Sequence, residues 1–320
     1  MKNRLITSAG RRVSLVQEFK KTALDFSEDI KVFTTDMEPR MAPACHVSDG
    51  YFQVSSAMSD SYISELLEIC KSNSIGIIVP TIDTCLPYLA EKRQRFEEIG
   101  THVIVSSIDF VNICCDKRKS FKFFNANGIE TPRMIDINCP EFPMFAKPYD
   151  GSGSNNIHTI MSEDDLSVTI RNNSKLMFME YIDKNDYKEF TVDMYFGRDN
   201  RVKCIIPRER IEVRGGEVSK AITRKNYLVD YLKERFENLP GVVGCICVQL
   251  FCRERDNDVV GIEVNPRFGG GYPLSFHAGA NFPRMIMLEY FQGKTLEYRE
   301  DWRNNLMMLR YDAEVIAEPD

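Results

Sequence analysis

Acidic, amide and basic side chains alternate with apolar ones towards the C-terminal end of the chain. Glu263, Asn265 and Arg267 end an apolar run, and Gln249 lies in an earlier strand-like run. Because alternate residues of a strand point to one face, these side chains are expected to converge. Such oxygen ligands suit Mg²⁺, which takes its other ligands from water and nucleotide phosphates, and a guanidinium can neutralise a transferring phosphoryl group. A strand edge with solvated polar ends is the alternative interpretation.

A lysine and a glycine-rich turn in the middle of the chain indicate a second site for phosphate. Lys147 lies in the short apolar run 142–148, and Ser152 and Gly153 belong to the turn that follows. Backbone N–H groups of such a turn approach an anion closely, and the lysine adds positive charge. The lysine precedes the glycines, so the segment is not a Walker loop. A plain hairpin turn is the alternative.

Two further strand-like runs follow the glycine-rich turn. The first ends at Glu180, Tyr181 and Ile182, and the second begins at Glu189. The end of a buried strand presents backbone N–H and C=O groups that can bind a purine edge between apolar side chains. A core strand with an exposed end is the alternative interpretation.

The order of these motifs resembles the ATP-grasp superfamily, and especially its carbamoyl phosphate synthetase large-subunit branch, from about residue 116 to residue 267. This resemblance implies ATP and Mg²⁺ or Mn²⁺ as cofactors. It implies phosphate binding by Lys117 and Lys147, adenine binding by Glu180, Tyr181 and Ile182, ribose binding by Glu189, metal binding by Gln249, Glu263 and Asn265, and contact of Arg267 with the reacting phosphate. Many family members carry Glu where this chain has Gln249, whereas the synthetase branch carries Gln.

The composition is that of a globular protein with a sizeable core. The chain has 320 residues, 43% of them hydrophobic, with no apolar run of membrane length and no signal-type N-terminal segment. Its ten cysteines lack metal-ligand spacing, and several lie in apolar strands, which favours a reducing cytoplasm. A net charge of −6 disfavours nucleic acid as a partner. We therefore expect a cytoplasmic protein that binds neither membrane nor nucleic acid, and a homodimer stays open.

Strand-like and helix-like segments alternate over the first hundred residues, which predicts an α/β fold with a parallel sheet covered by helices. The resemblance implies a division of the chain into three parts. These are a Rossmann-like domain over 1–107, an ATP-grasp lid over 108–183 and a C-terminal metal and substrate subdomain over 184–320. The last of these is predicted to contain an antiparallel sheet, so the C-terminal part is α+β.

The turn after the first strand helps to exclude one function. It carries Gly10, Arg11 and Arg12 instead of Gly-x-Gly-x-x-Gly, so a dinucleotide-dependent dehydrogenase is disfavoured and a helix N-terminus that receives an anionic substrate is preferred. Asp83 follows another strand, either at a ligand site or as a helix cap.

Chemically, the resemblance implies a ligase that joins a small-molecule carboxylate to an amine through an acyl phosphate. Candidates for substrate contacts are Arg208 and Arg210, on a predicted loop after the strand 202–206, and Gly270 and Gly271, before a predicted helix. A synthetase that activates bicarbonate for attack by ammonia ranks second, and a non-catalytic nucleotide-binding module third.

Overall fold

The N-terminal part of the chain forms a five-stranded parallel sheet, as the alternation predicts. The computed structural model describes residues 2–151 and 155–318. The strands are β1 (Asn3–Thr7), β2 (Val32–Asp36), β3 (Tyr51–Gln53), β4 (Ile75–Pro80) and β5 (His102–Val103), and the helices are α1 (Val13–Leu24), α2 (Pro43–His46), α3 (Tyr62–Ser72), α4 (Leu86–Glu91) and α5 (Arg93–Glu97). Leu5 and Ile6 belong to different hydrophobic clusters, so both faces of the sheet are buried. The order β3-β2-β1-β4-β5 places the carboxyl ends of β1 and β4 side by side.

Further helices and a small antiparallel sheet follow. They are α6 (Ile108–Cys114), α7 (Lys117–Ala126), β6 (Met144–Pro148), β7 (His158–Ile160), α8 (Val168–Arg171) and β8 (Leu176–Glu180). The strand β6 lies between β7 and β8 in the sheet, and the glycine-rich segment lies between β6 and β7 in the sequence. Ser152 and Gly153, which the sequence nominates for phosphate binding, lie outside the described residues.

The remaining strands form a six-stranded antiparallel sheet in the order β13-β12-β9-β10-β11-β14. Its strands and the helices among them are β9 (Lys188–Phe196), β10 (Val202–Arg214), β11 (Glu217–Thr223), α9 (Leu228–Arg235), β12 (Gly244–Arg253), β13 (Asp258–Asn265), α10 (Tyr272–Ala278), α11 (Phe282–Gln292) and β14 (Met307–Leu309). Helices α9 and α11 contribute buried side chains to the same core as β9 and β12. The α/β and α+β fold class is therefore confirmed.

Helix α7 contacts both the small and the large sheet. Phe121 packs with Met177 and Met179 of β8. On the other side, a Cβ atom at Gly261 of β13 would lie only 2.7 Å from the Phe124 ring. Glycine at this position therefore lets α7 approach β13 closely, which fixes the position of the first residue of the helix.

Two local predictions differ from the structure. The segment 207–210, expected as a loop, continues β10, because its backbone pairs with β9 and β11 on both sides. The helix-like segment 85–99 is one of those that alternate with strands in the sequence, and one continuous helix is expected there. The structure divides it into a 3₁₀ turn, α4 and α5, with Lys92 between the two α-helices. None of the helices in 2–151 and 155–318 is long and apolar enough to cross a membrane.

Candidate functional site

Glu263 and Asn265 lie together at the end of β13, as the alternation predicts. Asn265 Nδ2 donates a hydrogen bond of 3.0 Å to Glu263 Oε1, and Arg267 Nη2 lies 3.4 Å from Asn265 Oδ1. Gln249 is the direct cross-strand partner of Glu263. The ladder between β12 and β13 therefore brings one carboxylate, two amides and a guanidinium to one place.

Lys117 reaches this cluster from the start of α7. Asp116 caps the helix by accepting a hydrogen bond of 2.9 Å from the N–H of Arg118. The ammonium of Lys117 lies 3.7 Å from Glu263 Oε2 and donates a hydrogen bond to the Gly151 carbonyl. Lys117 thus connects the acidic group of the large sheet with the glycine-rich turn of the small sheet.

Lys147 enters the cluster from β6 and is 6% exposed. Its Nζ lies 3.4 Å from the Ile262 carbonyl, beside Glu263. Burial lowers the pKa of Lys147 to about 8, although the charge of Glu263 opposes the shift. The side chain is therefore a weakly hydrated ammonium without a hydrogen-bonded carboxylate among the described residues.

Opposing influences act on the Glu263 carboxylate. Burial alone raises its pKa, but Lys117, Lys147 and the hydrogen bond from Asn265 outweigh this and hold the pKa below its usual range. Glu263 is consequently ionised at neutral pH. An anion between two lysines is suited to hold a divalent cation beside a polyphosphate.

Arg210 joins the residues nominated for ribose and metal binding. Its Nη1 donates a hydrogen bond to Glu189 Oε1 and lies 3.5 Å from Gln249 Oε1. Lys184 Nζ lies 3.8 Å from the other carboxylate oxygen of Glu189. Sequence reasoning placed Arg210 on a loop, whereas its side chain points from a strand into the candidate site.

The segment nominated for adenine lies where β8 ends and the chain crosses to the large sheet. Glu180 Oε1 accepts a hydrogen bond of 2.9 Å from the N–H of Arg133, and the two residues also pair through their backbones. Glu180, Tyr181 and Ile182 are half-buried. The three residues nominated for adenine therefore lie on the segment that joins the small sheet to the large one.

Arg208 occupies a different environment from the one that the sequence suggested. It is 1% exposed, and its Nε and Nη2 donate hydrogen bonds of 2.7 and 3.0 Å to the Asp193 carboxylate. Ser275 and Cys247 also donate to Asp193. This buried network connects β9, β10, β12 and α10, so Arg208 is positioned as a structural side chain, and its contact with substrate stays a prediction.

Asp83 is a site residue whose role the sequence left open. Its carboxylate accepts two hydrogen bonds from Arg267, of 2.8 and 2.6 Å, and caps no helix in the described residues. Asp83 follows β4 of the N-terminal sheet, so the pair joins the first sheet to the cluster around Glu263. The position of Asp83 at the carboxyl end of a parallel strand was the signal for this role.

Charged residues lie around Gly270 and Gly271, and sequence reasoning missed Arg310 and Glu217 among them, although it had named the turn that carries Arg12. Arg310 donates hydrogen bonds to the Gly270 carbonyl and, at 2.9 Å, to Glu217 Oε2. A Cβ atom at Gly270 would lie 3.1 Å from Arg12 Nη1. The two glycines therefore lie among guanidinium groups, which fits their nomination as substrate contacts without testing it.

The donor set fits a hard divalent cation. Glu263, Gln249 and Asn265 offer one carboxylate and two amide oxygens, which Mg²⁺ accepts, together with water and phosphate oxygens. Residues 2–151 and 155–318 contain no group of three or more His, Cys, Asp and Glu side chains that could hold a metal ion. A metal ion here would therefore depend on nucleotide phosphates for part of its coordination.

Two family models match the chain. A model of an ATP-grasp in the biosynthetic pathway with Ter operon matches residues 172–312, and a model of the PylC-like N-terminal domain matches residues 5–104. No curated protein matches the chain. The first of these models covers the large sheet with the candidate metal ligands, and the second covers the parallel sheet.

Solved structures share the fold along nearly the whole chain. N5-carboxyaminoimidazole synthetase from Staphylococcus aureus, complexed with ADP, has a TM-score of 0.72 at 14% identity, covering 97% of this chain and 94% of that one. The biotin carboxylase domain of Hydrogenobacter thermophilus 2-oxoglutarate carboxylase, with MgADP, ADP and bicarbonate, has a TM-score of 0.69 at 14% identity, covering 95% and 73%. Biotin carboxylase from Campylobacter jejuni, as a β-γ-ATP complex, has a TM-score of 0.69 at 15% identity, covering 96% and 74%.

These structures establish the shared fold, and the C-terminal family model adds the sequence match over the large sheet. The roles of Lys117, Lys147 and Glu263 in binding stay predictions, although the structure brings the three side chains into one cluster. Residues 172–312 match an ATP-grasp family model, and nearly the whole chain shares the fold of the synthetase and carboxylase structures.

Proposed function

We propose that this protein is a carboxylate–amine ligase that activates a small-molecule carboxylate as an acyl phosphate. One observation carries the proposal: the ionised carboxylate of Glu263 lies between Lys117 and Lys147. The two lysines come from two separate elements, α7 and β6. ATP with Mg²⁺ would supply the phosphoryl group and charge neutralisation. Structural neighbours whose crystals contained ADP or an ATP complex support nucleotide binding by this fold.

Each residue of the cluster has a role that follows from its charge. Lys117 and Lys147 bind phosphate oxygens from two sides, and Glu263 with the amides of Gln249 and Asn265 holds the cation. Arg267 stabilises the negative charge that develops on the transferring group. Phosphoryl transfer relies on positioning and electrostatic stabilisation, so a covalent protein nucleophile is not required.

Substrate entry accompanies a change at Arg267. Its guanidinium is held by Asp83, and an incoming carboxylate offers the same two-oxygen geometry. The substrate carboxylate would share or replace this ion pair and thereby come next to the phosphate that Arg267 contacts. The amine then attacks the acyl carbon, and phosphate leaves to form the amide product.

The assay for this proposal uses hydroxylamine to trap the acyl phosphate. The full chain is incubated with ATP, Mg²⁺, pooled small carboxylic acids including amino acids, and hydroxylamine, and hydroxamate and ADP are measured. Glu263→Gln keeps the shape but removes the charge, so we expect a rate at least about a hundredfold lower. The control Glu254→Gln changes a carboxylate at the exposed end of the same hairpin and should leave the rate unchanged.

Undiminished hydroxamate formation by Glu263→Gln would contradict the metal role. ADP release that does not rise with any carboxylic acid would instead favour a nucleotide-binding module without ligase activity. The predicted homodimer, the cytoplasmic location and the domain boundaries at 107 and 183 remain predictions.

Bicarbonate is a second candidate for the acyl substrate. Gln249 stands where the synthetase branch of the resemblance carries Gln, and it faces Glu263 across the ladder. One structural neighbour was crystallised with a bicarbonate anion. ADP release with bicarbonate and ammonia as the only additions would select this reaction, and its absence would exclude it.

A further inference from the structure

Four arginines surround the glycine loop 269–271, and three of them have a carboxylate partner. Arg208 is bonded to Asp193, Arg267 to Asp83 and Arg310 to Glu217. The fourth is Arg12, in the turn between β1 and α1. In the part of the chain that the structure describes, its guanidinium forms no hydrogen bond with any carboxylate.

Arg12 is a guanidinium in a partly buried place. Burial lowers its pKa, as do the positive charges of Arg267 and Arg310, while Glu217 acts in the opposite direction. Arginine nevertheless remains protonated in proteins, so a positive charge persists here. Removing such a charge from water without a bonded anion is costly, and an anionic ligand would offset the cost.

The glycine loop leaves space beside the guanidinium groups of Arg12 and Arg208. A Cβ at Gly270 would lie 3.1 Å from Arg12 Nη1 and 3.2 Å from Glu217 Oε1, and a Cβ at Gly271 would overlap the guanidinium of Arg208. Nη1 of Arg208 is itself buried and unbonded in the described residues. Larger side chains at 270 and 271 would therefore fill the space beside Arg12 Nη1 and Arg208 Nη1.

Arg12 and Lys147 have different charged neighbours. Its electrostatic neighbours are Arg267, Glu217, Cys247 and Arg310, whereas Lys147 interacts with Glu263, Lys117 and Glu189. Arg267 interacts with both Glu263 and Arg12. Arg12 is therefore electrostatically linked to Arg267, and neither lysine is among the described charged neighbours that act on it.

We propose that Arg12, with the loop at Gly270, binds a second acidic group of the acyl substrate while the reacting carboxylate lies at Arg267. This inference rests on the proposed function and narrows its substrate to carboxylic acids with another carboxylate or a phosphate. Arg12 is thus a specificity-determining residue supplied by the N-terminal sheet. A monocarboxylate leaves it unpaired.

The test compares acids that differ only in the second acidic group. The full chain is titrated calorimetrically, with MgADP present, using succinate against butyrate, glutarate against valerate, and phosphoglycolate against glycolate. We expect the acid with two groups to bind at least roughly tenfold more tightly in one or more pairs, as for a charge-assisted hydrogen bond. Preference in the dicarboxylate pairs assigns a carboxylate, and preference for phosphoglycolate alone assigns a phosphate.

Two variants show whether Arg12 causes the preference. Arg12→Met should abolish it, while Arg11→Met, which removes the exposed neighbouring charge, should retain it within about twofold. Equal binding of both members in every pair, binding by none of them, or a preference that survives Arg12→Met overturns the inference. Titration of the same samples with MgADP tests the proposed function separately from the inference about Arg12. If the wild-type chain failed to bind MgADP, the proposed function would be contradicted instead.

Discussion

Lys147 is the residue whose environment most clearly departs from that of a surface lysine. Its ammonium is almost fully buried, and the nearby Glu263 compensates only part of the lost hydration. Such a lysine is easily deprotonated, yet it binds phosphate strongly when charged because little water must be displaced. The affinity of the protein for nucleotide should therefore depend on the protonation state of Lys147.

We expect the affinity for an ATP analogue with Mg²⁺ to fall as pH rises through about 8. Burial lowers the pKa of Lys147 from 10.5 to about 8 in the free protein, so the charged form that binds phosphate is lost between pH 7 and pH 9. The dissociation constant should rise roughly tenfold over that range. Calorimetric titrations at several pH values measure it.

Lys147→Arg supplies the matched control, since arginine stays charged throughout this range. Its affinity should change little between pH 7 and pH 9, whatever its absolute value. An equally steep pH dependence in Lys147→Arg would mean that another group titrates.

At the scale of elements, strand β10 changes the interpretation of the charged segment 207–210. Sequence reasoning expected a loop because Arg208, Glu209 and Arg210 are charged, and charged residues are usually solvated. In the structure the segment is a central strand, and Arg208 lies buried against Asp193 of the neighbouring strand. Buried charges are tolerated when they are paired, but the sequence does not indicate which partner a remote strand will offer.

Arg208→Met should lower the free energy of unfolding by roughly 3–5 kcal/mol, because it leaves Asp193 buried without its cation. Urea denaturation followed by circular dichroism measures the change. Arg214→Met, at the exposed end of the same strand, should alter stability by less than about 0.5 kcal/mol. If Arg208→Met unfolds like the wild type and only raises KM, the earlier substrate prediction for Arg208 is favoured.

Local patterns predicted some parts of the site better than others. The convergence of Glu263 and Asn265 follows from the two-residue period of a strand, which the sequence shows directly. The approach of Lys117 to Glu263 depends on close packing of α7 at Gly261, and the pair of Asp83 with Arg267 depends on how two sheets meet. Contacts of this kind arise from tertiary packing and leave no periodic signal.

At the scale of the whole molecule, three sheets contribute to one positively charged cluster within a chain of net charge −6. The parallel sheet supplies Asp83, the small sheet Lys147, and the large sheet Glu263 and Arg267. An acidic protein repels polyanions in general, so a local group of cations favours a small anionic ligand that fits between the sheets. The central claim is therefore that a nucleotide lies between the three sheets, at this cluster of charged side chains.

A crystal structure of the full chain with a non-hydrolysable ATP analogue and Mg²⁺ tests that claim most directly. The account predicts phosphate oxygens within hydrogen-bonding distance of the ammonium groups of Lys117 and Lys147. It also predicts Mg²⁺ at about 2.1 Å from an oxygen of Glu263. An analogue bound away from these residues, or none bound at saturating concentration, would contradict the account.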